Sequence, residues 1–116
     1  MTQAELFAQL KTIGYPVAYD HFIVDSTHPA PAPPYLVYLR AFDSNISSDY
    51  AVHGKFKNYL IELYTDKKDP AAEQKVEAVL NAIDPDYETT ETFIESEGLY
   101  QVIYQPKTVE KYKREG

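Results

Sequence analysis

Residues 58–83, NYLIELYTDKKDPAAEQKVEAVLNAI, contain a change of period that decides the fold. From Asn58 to Thr65, Tyr59, Ile61 and Leu63 recur at every second position, the alternation of a strand with one side turned to a core. After the charged turn Asp66, Lys67, Lys68 the spacing becomes helical. Asp69 is placed to cap the free backbone donors, Pro70 takes the first helical position, and Ala72, Val76, Val79, Leu80 and Ile83 form one apolar stripe until Asp84 and Pro85 stop it. Strand followed by amphipathic helix, with one apolar side on each, is the building step of an α+β domain.

Working outward toward the N-terminus, Tyr35 to Phe42 alternates as a second strand and pairs naturally with Asn58–Thr65. The stretch between them, Asp43 to Lys57, is polar (Asn45, Ser47, Ser48, Asp49, Gly54), with Ile46, Tyr50, Val52 and Phe56 as apolar anchors, and reads as a long loop. Before Tyr35, Asp25 to Pro34 holds Pro29, Pro31, Pro33 and Pro34, which forbid helix and deny donors to a sheet, so this segment is an extended loop. Tyr15 to Val24 reads as extended through Val17, Tyr19, Phe22 and Ile23. The chain opens with a helix from Gln3 to Ile13, with Thr2 and Glu5 as a capping-box pair, Leu6, Phe7, Leu10 and Ile13 on one face, and Gly14 at its end.

Outward in the other direction, Tyr87 to Glu95 and Leu99 to Gln105 form a hairpin about Ser96, Glu97 and Gly98, and Pro106 ends the last strand. The order α-β-β-β-α-β-β predicts a mostly antiparallel sheet of four to five strands with two helices packed on one face. The single α+β domain is expected to span 1–106, with 107–116 a flexible basic tail carrying Lys107, Lys111, Lys113 and Arg114.

Composition narrows the function. The 116 residues, 44% apolar and 25% charged, suit one folded domain. There is no cysteine, so disulfides and thiolate metal sites are excluded. No apolar run reaches the roughly 20 residues of a membrane span and the N-terminus has no signal-peptide layout, so a soluble, unexported protein is expected. A net charge of −7 disfavours nucleic acid and anionic lipid. Tyrosine stands out: eleven, against five phenylalanines and no tryptophan. Its flat apolar body and polar tip suit surfaces that are wet before assembly and dry after it.

No catalytic constellation emerges. His21, His28 and His53 lack ligand spacing, the serines lack a nucleophile elbow, and the glycines are too scattered to cradle a phosphate. Glu91 and Glu95 could share a strand face and divide acid and base roles, but a solvated face has the same sequence. The expectation is therefore a protein without catalytic residues, cofactor or metal. The sheet itself carries the positive signal. Tyr35, Val37, Leu39 and Ala41 alternate with Leu36, Tyr38 and Phe42, and Leu99 and Ile103 alternate with Tyr100, Val102 and Tyr104, so both faces are apolar. Two helices cover one face, and sister subunits are expected to cover the other.

The run Pro33-Pro34-Tyr35-Leu36-Val37-Tyr38, then Tyr59 through Pro70, Glu73 and Val76 in the helix, and Ile94 to Glu97 with Tyr100 to Tyr104 in the hairpin, resembles the tail-terminator (tail-completion) proteins of long-tailed phages and prophages of Gram-positive bacteria. The resemblance spans the chain from the first helix to Tyr104. It implies a structural, non-catalytic subunit that forms a hexameric ring on the head-proximal end of the tail. Its partners would be its own copies, the tail tube protein and a head-completion protein, in the host cytoplasm during assembly and in the virion tail afterwards. On this reading Tyr38, Tyr100 and Tyr104 contribute to the oligomer interface, and Tyr50, Lys55, Phe56 and Lys57 form a loop that contacts tail or connector. The alternatives are a non-catalytic protein-binding adaptor of host origin and a small hydrolase using Glu91 and Glu95.

Overall fold

The computed structural model describes residues 2–48, 51–106 and 110–113, with side chains described for 2–41 and 58–106. Its elements are α1 (Gln3–Lys11), β1 (Val17–Tyr19), β2 (Tyr35–Ser48), β3 (Ala51–Thr65), α2 (Pro70–Ile83), β4 (Glu88–Ile94), β5 (Leu99–Gln105) and β6 (Glu110–Lys113). The fold is α+β. The sheet is mixed: in the order β1-β2-β3-β5-β4, β1 runs parallel to β2 and every other pairing is antiparallel, with β6 added to β3 beyond β5.

Local chemistry sets the helix ends as expected. The Thr2 hydroxyl accepts the Glu5 amide at 3.2 Å, and an Asp69 carboxylate oxygen accepts the Ala72 amide at 3.0 Å with Pro70 in the first turn. Asp84 leaves α2 with extended backbone (ψ 103°), the conformation required of a residue before proline. Gly98 closes the β4–β5 turn at φ 64°, a left-handed position where glycine carries no Cβ penalty.

One face of the sheet holds the core. In register, Leu36, Leu63 and Val102 form one rung across β2, β3 and β5, and Tyr38, Ile61 and Tyr104 form the next. Leu6 and Leu10 of α1 and Ala72, Val76 and Leu80 of α2 close over them, all fully buried. Each large side chain so buried contributes about 1.5–3 kcal/mol. The polar tips of the core tyrosines are satisfied by the helices: Tyr104 Oη donates to Glu77 Oε2 at 3.0 Å and Tyr59 Oη to Gln3 Oε1 at 3.3 Å.

Three expectations change. Most of the segment expected as a loop is strand: within Asp43–Lys57, β2 runs to Ser48 and β3 starts at Ala51, the two paired with register shifts at Arg40/Phe42 and Ile46/Ser47, and 49–50 lie outside the described residues. Its polar composition hid the strand, although Val52, Gly54 and Phe56 do alternate with His53, Lys55 and Lys57. Within the expected tail, Glu110–Lys113 forms β6 against Gly54–Lys57. The extended segment after Tyr15 shortens to three residues, because Asp20 turns at φ 66° and leads Phe22 and Ile23 out of the sheet.

Candidate functional site

The expected interface tyrosines divide between core and rim. Tyr38 and Tyr104 are 5% and 0% exposed, sealed beneath the helices, so they offer nothing to a neighbouring subunit and their assignment to an interface is corrected. Alternation along a strand cannot show which face the helices take, and here they take the face richer in buried tyrosine. Tyr100 shares that face at its edge, half-buried, with its ring 4.9 Å from Phe93. Of the expected contact loop, Tyr50 lies outside the described residues, while Lys55, Phe56 and Lys57 fall on β3, paired to β2 on one side and to β6 on the other.

The opposite face is the one without a layer of helices. Its rungs are Val37, Glu62 and Ile103, then Tyr35, Tyr64 and Gln101, with Leu39 opposite Leu60. Apart from buried Val37, these side chains are half-buried. One polar relay crosses the face: Gln101 Nε2 donates to Tyr64 Oη at 2.8 Å, and Tyr64 Oη donates to Glu62 Oε1 at 2.8 Å. Burial, and then the bond to Glu62, push the Tyr64 phenol far above its usual value, so it acts as a neutral donor.

The proline-rich segment between β1 and β2 covers one end of this face. A tight turn holds it: Asp25 Oδ1 accepts the Thr27 amide at 2.8 Å, the Thr27 hydroxyl at 2.9 Å and the His28 amide at 2.7 Å. The Thr27 bonds, followed by those of His28, hold the Asp25 carboxyl below its ordinary value. From there the segment borders an open cavity of about 270 Å³ lined by Asp20, His21, Phe22, Pro31, Tyr35, Tyr64 and Glu97, among others. Tyr35 and Tyr64 stack at 5.0 Å and 21°, and Phe22 meets Tyr35 edge-on at 5.5 Å. Burial, and then the nearby Glu97 charge, raise the Tyr35 phenol.

The carboxylate pair considered from sequence is not brought together. Glu91 lies on the helix-covered side of β4 and is bound to Lys68 Nζ, which also pairs with Glu73 at 2.7 Å, while Glu95 lies past the end of the strand. Neither lines the cavity. Among the described residues no three His, Cys, Asp or Glu side chains are grouped to hold a metal ion, and no helix is long and apolar enough to cross a membrane. Sequence reading missed the cavity because its walls come from four separated segments. Only the concentration of prolines before Tyr35 hinted that the segment packs rather than wanders. No protein-family model matches the chain, and a search of curated proteins finds no match.

Proposed function

We propose that this chain is a structural subunit that closes into a ring, caps the head-proximal end of a phage tail tube and gives head-completion proteins a docking surface. The observation that carries this reading is the unlayered face of the sheet. Leu39, Leu60 and Ile103 are only half-buried, on strands whose other face packs into the core. An apolar face on a rigid sheet is a surface prepared for a protein neighbour. A closed ring requires two different patches on each subunit, one complementary to the other. The open face supplies one, and the outer part of the β2–β3 hairpin, with β6 paired along β3, supplies a second.

Electron microscopy of tails made with and without the gene tests the reading. Tubes of irregular length that fail to join heads are expected in its absence. Tails of normal length that join heads would exclude it.

A further inference from the structure

The cavity beneath the proline-rich segment has a composition that selects its ligand. Two carboxylates, Asp20 and Glu97, line it together with three aromatic rings, Phe22, Tyr35 and Tyr64; its basic lining residue is His21, whose Nδ1 lies 2.8 Å from Asp20 Oδ2, and none of the lining residues is lysine or arginine. Ring faces and carboxylates both attract a cation. At about 270 Å³ the cavity falls below the roughly 300–1,000 Å³ of small-molecule sites and matches a single long side chain.

The same chain carries a lysine-rich stretch where β6 pairs with β3. Four consecutive cross-strand pairs, Gly54–Lys113, Lys55–Tyr112, Phe56–Lys111 and Lys57–Glu110, bring four lysines and one glutamate into one short stretch of two strands. Asp43 of β2 pairs with Lys57 from the other side, so four lysines stand with two acidic residues, the reverse of the chain's overall balance of 18 acidic to 11 basic side chains. The cavity sits at the Tyr35–Tyr64 end of the β2–β3 hairpin, whereas the last described pair is Ser48–Ala51. At roughly 3.3 Å per residue, the stretch of β3 from Tyr64 to Lys57 and Gly54 puts the lysine-bearing pairs roughly 23–33 Å from the cavity, within a molecule 50 Å long. A paired hairpin cannot fold back on its own base, so a lysine of this arm reaches a cavity only on another copy.

We propose that the cavity formed by Asp20, Phe22, Tyr35, Tyr64 and Glu97 receives a lysine side chain from the hairpin arm of a second copy, joining subunits head to tail. This rests on the ring reading and names its joint. A positive end meeting a negative pocket also fixes direction, since two pockets or two arms repel.

Two measurements test it. In the first, the wild-type chain is titrated with Nα-acetyl-lysine amide while ring resonances of Phe22, Tyr35 and Tyr64 are followed by NMR. Saturable shifts that weaken about tenfold in the Asp20→Asn/Glu97→Gln chain are expected; unchanged ring signals overturn the cation site. In the second, sedimentation velocity compares that pocket variant with an arm variant in which Lys55, Lys57, Lys111 and Lys113 are each changed to Gln. Each alone should remain monomeric where the wild type associates, and their mixture should form a dimer through the one intact joint. Association of either variant at the wild-type level, or a wild type that never associates, overturns the second copy as occupant. Should the joint behave as expected while tails lacking the gene are normal, the ring-on-tail reading fails and the joint stands.

Discussion

The two faces of the sheet are built from the same strands and carry similar side chains, yet they have opposite fates. Beneath α1 and α2, Tyr38, Tyr59 and Tyr104 are buried, and the hydroxyls of Tyr59 and Tyr104 bond Gln3 and Glu77 of the helices. On the other side Tyr35 and Tyr64 are half-buried and stack on each other, and the Tyr64 hydroxyl turns to Glu62 and Gln101 of the sheet itself. What separates core from surface here is the covering layer. The tyrosine excess, which the composition suggested was for assembly, is spent partly on a core and partly on an open face.

The widest separation between the faces should appear in Leu63→Ala and Leu60→Ala, three residues apart on β3. Leu63 is fully buried, so its truncation should lower unfolding free energy by about 2–5 kcal/mol in a urea titration, whereas half-buried Leu60 should lose about 1 kcal/mol or less. Equal losses would mean that the open face is already covered within the protomer. Ile103→Asp tests the proposed role of the open face: a small stability change in the same titration is expected and, under that proposal, loss of ring assembly.

A smaller effect is expected from unseating the cover. Asp69→Ala removes the acceptor for the Ala72 amide and should cost about 1 kcal/mol by chemical denaturation. Tyr104→Phe, which leaves half-buried Glu77 of α2 without its phenol donor, should cost about 1 kcal/mol, and Tyr64→Phe on the wetter face should cost less in the same assay.

The smallest change should come from acid. The Asp25 carboxyl is held below its ordinary value of 3.8, so its support of the proline-rich segment is complete above that value and is lost as pH falls through the lower folded-state value. Amide resonances of Thr27 and His28 should move in that acid window with little change in global stability. Movement at or above the ordinary carboxylate value would contradict the Thr27 and His28 hydrogen bonds.

Both helices, the central strand pair and the last hairpin were legible because each is specified locally: Thr2 and Asp69 as caps, Pro70 at the helix start, Gly98 in the turn, and apolar side chains at a single clear period. The hairpin arm was not. Its residues are mostly polar, with Ile46, Val52 and Phe56 too sparse to mark a strand, and strand pairing of that kind is fixed by tertiary context rather than by propensity. Nor was the cavity, whose aromatic and acidic walls meet only after β1, the proline-rich segment, the central strands and the β4–β5 turn have come together.

Sequence by itself determined that this chain has two amphipathic helices and a sheet apolar on both sides, because side-chain period is a property of the local chain. Only the tertiary structure decided which tyrosines are core, that β1 joins the sheet in parallel, and where the open face and its pocket lie. Those depend on which of two similar faces the helices cover, and neither face carries that information in its own residues.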